Sequence, residues 1–186
     1  LGVKPGDRVL TRIERTTDAL AAILGALKLG AAYAPVNRDI PHGRVDRIIR
    51  DAKPSLIVSQ RNEARWAPGC GPIHFLENDR AVTDAESGAA FAELPPPSDV
   101  AWVLYTSGTT GAPKGVLGTH AGSLNRIRWL WKSQPFREGE VAFQNTAFGT
   151  VDSIWEVWAA LGAGHPVRIF SDDDVRDLER LVPLIA

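Results

Sequence analysis

The chain predicts an α/β fold with parallel strands flanked by helices, and three features carry that prediction. Over residues 8–59, short apolar runs alternate with longer amphipathic stretches in the order strand, helix, strand, helix, strand. That is the order of βαβ units. The amphipathic stretches repeat apolar residues at helical spacing, so each presents one apolar face. Gly30, Pro35 and Pro54 punctuate the joins.

Residues 8–13 read as the first strand. Thr16 or Thr17 caps the helix that follows, with Asp18 favourable in its first turn. Leu20, Ile23, Leu24 and Leu27 form its stripe, and Gly30 suits its C-terminal stop. Residues 31–35 are a second strand. Asp39 is placed to cap a second helix, with Pro41 in its first turn and Val45, Ile48, Ile49 and Ala52 as its stripe. Pro54 ends it, and residues 55–59 are a third strand. A short strand is expected at residues 73–75. The stretch from Ala81 to Ser98, with three consecutive prolines at 95–97, reads as an internal surface connection.

Further on, residues 100–105 read as a strand, followed by a Gly/Thr/Ser-rich loop and a short strand through Val116. A helix is expected over 121–132, a strand over 141–144, a helix over 153–161 and a strand over 166–170. Ser171 or an adjacent Asp caps a last helix over 175–186.

Composition narrows the function classes. Hydrophobic residues are 44% and charged residues 23% of the 186, ordinary for a globular chain. A chain this long buries roughly 70% of its unfolded surface. A net charge of −1 and the lack of a basic stripe argue against nucleic acid as partner. No apolar run approaches the roughly 20 residues of a membrane span. Cys70, the single cysteine, permits neither an internal disulfide nor a Cys/His zinc spacing. It fits a reducing compartment, so a cytoplasmic location is expected. The chain opens on Leu1 without a signal-peptide pattern and closes within a helical stretch, so a fragment of a longer polypeptide is expected.

The strongest chemical signal is Tyr105-Thr106-Ser107-Gly108-Thr109-Thr110-Gly111-Ala112-Pro113-Lys114-Gly115-Val116. A polyphosphate needs many donors close to its oxygens. Gly108, Gly111 and Gly115 remove bulk and permit φ > 0, so backbone N–H groups can converge on an anion. Thr106, Ser107, Thr109 and Thr110 supply hydroxyls, Lys114 a mobile charge, and Pro113 stiffness. Pro113 stands where a Walker A loop needs its second Gly, so the spacing is not that motif. The structural alternative is a plain hairpin turn with an ordinary surface lysine.

The whole stretch resembles the phosphate loop of the adenylate-forming superfamily, which includes acyl-CoA synthetases, luciferases and peptide-synthetase adenylation domains. Two further stretches are similar to the same family. One is Leu27-Lys28-Leu29-Gly30-Ala31-Ala32-Tyr33-Ala34-Pro35-Val36, followed by Pro41 and Arg44. The other runs from Gln144-Asn145-Thr146 to Trp155-Glu156 and resembles the acyl-pocket segment. The resemblance implies a partial acetyl-CoA synthetase-like fold, with residues 1–186 an incomplete N-terminal part of an AMP-binding adenylation domain. It implies that a carboxylic acid, an amino acid foremost, and Mg-ATP yield an acyl-adenylate. The acyl group then passes to a phosphopantetheine thiol on a carrier protein or on CoA. It assigns phosphate contacts to Thr106, Ser107, Gly108, Thr109, Thr110, Gly111 and Lys114, with Lys114 stabilising phosphate charge in catalysis. The family's Tyr-Gly-x-Thr-Glu segment for adenine and Mg2+, its ribose-binding Asp segment and its C-terminal lysine are missing, so these residues alone are expected to be inactive. The remainder of the domain is thus an expected partner.

Amino-acid-activating relatives carry Phe-Asp-x-Ser where this chain has Thr150-Val151-Asp152-Ser153. The carboxylate is displaced by one position, which favours an amine set further from the acid, as in a β-amino acid. Asp152 and Trp155 share a helical face apart from Ile154, Val157, Trp158 and Leu161, and are the candidate substrate contacts. The alternative is that Asp152 caps the helix and Trp155 packs on a neighbour. Asp172-Asp173-Asp174 reads as a helix-start cap and not a cation site. The four histidines lack ligand spacing, so no metal site is assigned; His120 lies near the loop. Trp129 and Trp131 flank Leu130, with one ring expected in the core and the other outside it. The rival functions are an acyl- or aryl-CoA ligase and a non-catalytic nucleotide-binding remnant.

Overall fold

The computed structural model describes residues 1–63, 66, 69–78, 99–107 and 112–185. Its strands are β1 (Arg8–Arg12), β2 (Ala32–Pro35), β3 (Leu56–Ser59), β4 (Ile73–Phe75), β5 (Val100–Ser107), β6 (Pro113–Thr119), β7 (Ala142–Gln144) and β8 (Val167–Ile169). Its α-helices are α1 (Thr17–Lys28), α2 (His42–Ala52), α3 (His120–Ser133), α4 (Asp152–Gly162), α5 (Asp172–Arg176) and α6 (Leu178–Ile185). The larger sheet has the order β4-β3-β1-β2-β5-β6, and β7 and β8 form a second. All pairings are parallel except β5 with β6, which is antiparallel. The predicted α/β class is what the chain adopts. The expected connection at residues 81–98 lies outside the described residues.

Alternation along β1 sends Val9 to one face and Leu10 to the other, as the two-residue period of a strand requires. Val9, Tyr33, Leu56, Val58, Trp102 and Leu104 pack with α1 and with Ile154 of α4. Leu10, Val36 and Ile57 pack with Val45, Ile48 and Ile49 of α2. The sheet is covered on both faces and therefore reads as near-continuous apolar runs.

The buried stripe of α1 is Ala19, Ile23 and Ala26. It is rotated from the leucine-rich stripe the sequence suggests, and Leu24 is 37% exposed. Two alanines let the helix approach the sheet closely. Thr16 is the N-cap residue, without a side-chain capping bond, and Gly30 terminates the helix at φ 71°. Pro41, not Asp39, occupies the N-cap of α2. Chain direction there is held instead by buried Arg12, whose Nη2 donates to the carbonyls of Arg38 (2.9 Å) and Ile40 (3.2 Å).

Strand β6 runs three residues past its predicted end at Val116, because it pairs with β5 up to Val100–Thr119. Ser171 caps α5 in a capping box with Asp174, and the last helix is interrupted at Asp177. Leu161 lies on the outer side of α4, outside the stripe drawn for it. Trp131 donates its indole N–H to the Ala159 carbonyl at 2.7 Å, while Trp129 is exposed.

Candidate functional site

Strands β1, β2, β3 and β5 run in one direction, so their carboxyl ends lie along one edge of the sheet. Ligands of open α/β sheets bind at that edge. The β5–β6 hairpin rises from it, with Thr106 opposite Lys114 and Ser107 opposite Pro113. The strands therefore deliver the two ends of the predicted phosphate loop side by side. Gly108, Thr109, Thr110 and Gly111 lie outside the described residues. Thr106 and Lys114 are exposed, and among the described residues neither side chain makes a hydrogen bond or ion pair. Lys114 thus presents an exposed ammonium at the end of the hairpin.

Gly115 has a different role from the one its spacing suggests. It sits within β6 opposite Tyr105, without a positive φ. A Cβ there would meet the Tyr105 ring at 3.1 Å. The glycine makes room for an aromatic ring across the ladder; it does not curl the backbone around an anion. Tyr105 in turn donates to Asp51 Oδ2 at 2.6 Å, tying the hairpin to α2. Burial and the Asp51 carboxylate push its phenol pKa upward. His120 follows β6 at the start of α3, and partial burial lowers its pKa.

The second predicted region is the loop from β7 into α4. Asp152 is the first residue of α4, and Val151 is the N-cap, without a side-chain bond. The Asp152 carboxylate does not cap the helix. It is exposed and, among the described residues, makes no hydrogen bond or ion pair. Trp155 is half-buried against the core, with the Arg126 guanidinium 5.8 Å from its ring centroid. The same guanidinium lies 4.3 Å from the Trp129 centroid.

A polar cavity of about 630 Å³ opens at the carboxyl ends of β1, β2 and β7, closed on one side by α5. Arg15, Asn37, Asn145, Phe148 and Asp172 line it; Thr106, Lys114, Asp152 and Trp155 do not. Arg15 is the central side chain. Its Nη2 pairs with Asp172 Oδ1 at 2.5 Å, and its Nη1 donates to the Asn145 carbonyl. Asp172 is taken up by this pair and Asp174 by the capping box with Ser171. Asn145 belongs to the stretch that resembles an acyl-pocket segment, whereas Arg15 and Asn37 carry no such local motif. The available signal was their position: each is a polar residue just beyond a strand end, where α/β sheets gather their functional groups.

An open, mostly parallel sheet with helices on both faces and a hairpin rising from its carboxyl edge defines the class of α/β proteins that bind ligands at that edge. The model of the AMP-binding enzyme family matches residues 1–186. Vanchrobactin synthetase VabF of Vibrio anguillarum is 32% identical over 184 residues, 99% of this chain and 6% of that protein. Zwittermicin A synthase ZmaJ of Bacillus cereus is 33% identical over 164 residues, 87% of this chain and 31% of its own length. Among solved structures, a four-domain nonribosomal peptide synthetase bound to AMP and glycine superposes with TM-score 0.83 at 26% identity, over 99% of this chain and 13% of that one. The N-terminal subdomain of Klebsiella oxytoca NpsA, in complex with 3-hydroxybenzoyl-AMSN, gives 0.82 at 25% identity, over 98% and 45%. The chain belongs to the AMP-binding enzyme family, and it spans less than a third of either of these two synthetases.

Proposed function

We propose that this chain is the nucleotide-gripping part of an enzyme that uses ATP to activate a carboxylic acid, an amino acid foremost, as an acyl-adenylate. The thiol of a phosphopantetheine arm, on a carrier protein or on CoA, would receive the acyl group in the cytoplasm. The observation that carries the proposal is the hairpin. Thr106 stands opposite Lys114 in it, on the two strands that flank residues 108–111, at the carboxyl edge of the sheet, and this supports the reading.

The residues' work is positioning and charge. Lys114 would neutralise charge on the β- and γ-phosphates, and Thr106 and Ser107 with residues 108–111 would donate to the phosphate oxygens. Holding the tail fixes the α-phosphorus for in-line attack by the acid's carboxylate, the α–β phosphoanhydride bond breaking and pyrophosphate leaving, which removes much of the entropic cost of bringing the reactants together. No enzyme nucleophile is needed. Magnesium would be carried on the ATP phosphates. No helix among them is long and apolar enough to cross a membrane.

Asp152, exposed and without a hydrogen bond or ion pair among the described residues, stands three positions before the half-buried Trp155 on α4 and supports an amine-bearing acid. One observation favours a second reading, an aryl acid: the NpsA subdomain, similar over 98% of this chain, holds a hydroxybenzoyl ligand. ATP–pyrophosphate exchange by the full-length protein carrying these residues tests both. Lys114→Ala lowers exchange about 100-fold, the usual cost of one lost charge-stabilising donor. An unchanged rate removes the phosphate role. Asp152→Ala raises KM for amino acids about tenfold and leaves aryl acids unmoved. If amino acids are unaffected, the amine contact is wrong.

A further inference from the structure

We infer that Glu156 is a positioning residue that fixes the loop of residues 145–150 and so sets selectivity for the acid; the inference rests on the acid-activating function proposed above. A single oxygen, Glu156 Oε2, accepts from the Asn145 amide (3.1 Å), the Thr146 amide (3.0 Å) and the Thr146 hydroxyl (2.8 Å). Two consecutive backbone N–H groups and a hydroxyl converging on one carboxylate oxygen define a rigid corner. Gln144, fully buried, reinforces it by donating from Nε2 to the Thr146 carbonyl.

The far end of the loop is held separately. The Gly149 amide donates to Asn37 Oδ1 at 3.1 Å, and Ser153 Oγ donates to the carbonyls of Phe148 (3.2 Å) and Thr150 (2.7 Å). A Cβ on Gly149 would lie 2.6 Å from Asn37 Oδ1. Between these anchors the loop places Phe148 on the polar cavity, then runs directly into Asp152. Glu156 lies one helical turn after Asp152, on the same face of α4. It therefore references the loop to the helix that carries Asp152 and Trp155. Loss of the carboxylate leaves two amides without their acceptor and frees the loop that sets Phe148 on the cavity and leads into Asp152.

The test is steady-state ATP–pyrophosphate exchange by the full-length protein with a panel of amino and aryl acids, together with hydrogen exchange of residues 145–150. Glu156→Ala is expected to raise the acid KM at least tenfold, change the rank order of acids, leave the ATP KM within twofold, and deprotect the loop amides. Glu156→Gln keeps an acceptor oxygen and is expected to restore the acid KM to within about threefold of the parent. Should Glu156→Ala fail to fold, Gly149→Ala attacks the other anchor and is expected to shift acid KM and rank order in the same way. An equal rise in both KM values, or an unchanged acid rank order with a loosened loop, overturns the selectivity role. A parent that exchanges with no acid overturns the proposed function, and this role with it. Full amide protection in active Glu156→Ala overturns the clamp alone.

Discussion

Tyr33 is buried on the α1 side of the sheet, where its hydroxyl receives a long hydrogen bond from the Trp158 indole at 3.5 Å. Burial raises its pKa from 10.0 to about 12. The folded state thus holds a proton that the unfolded chain releases. The corresponding stability is fully present below pH 10 and is lost as pH rises through about 12. Urea titrations of the protein across pH 9–12 should show a loss of about 2–3 kcal/mol from this group, and Tyr33→Phe should reduce the slope. Tyr105, also raised, keeps a residual slope in that variant. An unaltered slope would mean that Tyr33 ionises freely. Individual residues were unevenly legible from sequence. Lys114 stood out because its hydroxyl-rich surroundings are contiguous in the sequence. Arg15 and Asn37 did not, because what they hold lies 130–157 and 112 residues away; Glu156 closes the pocket-like stretch, but its hold on residues 145 and 146 shows only in the fold. Gly115 was assigned to the wrong cause, since the ring that requires it sits on the partner strand.

Among the elements, the hairpin depends on a second glycine–aromatic pair. Trp102 faces Gly118 across the ladder, and a Cβ at Gly118 would fall 1.8 Å from Trp102 Cε2. The indole is pinned on its other side by a 3.0 Å bond to Ser123 Oγ, so it cannot swing away freely. Aromatic rings packed over strand glycines restore the contact a missing side chain forfeits. Gly118→Ala should destabilise the protein by about 1–3 kcal/mol or more, as overpacking does, and thermal denaturation would register it. No change in Tm would show that Trp102 repacks at little cost. Helical periodicity located α1, α2 and α4, yet it placed Leu24 and Leu161 inward when both are outside the core. Periodicity reports a face; how close the helix comes to the sheet, here through Ala19 and Ala26, selects which residues of that face are covered.

At the scale of the whole molecule, Arg15 joins the two sheets. It extends from the end of β1, reaches the loop after β7 through the Asn145 carbonyl, and reaches the start of α5 through Asp172. Its side chain is 7% exposed and that of Asp172 is 35%, so water screens the pair on one side only. Arg15→Ala removes both partners at once and should cost about 1–3 kcal/mol, the range for hydrogen bonds to charged groups. Hydrogen exchange should rise at residues 142–146 and 167–172 together. Exchange confined to one segment would show that the sheets are joined elsewhere. The βα alternation predicted the larger sheet well, but the separation of β7 and β8 into a second sheet left no mark in the sequence, because strands of either sheet carry the same apolar pattern.

The antiparallel strand β6 has one further consequence. It stands at the margin of the larger sheet, where Val116 is 47% and Leu117 63% exposed. Its outer row of amides and carbonyls meets no further strand among the described residues. Such a margin is a template for another extended chain. At high concentration these 186 residues alone are expected to self-associate through β6, seen as light scattering that rises with concentration, and a lysine in place of Leu117 should suppress it.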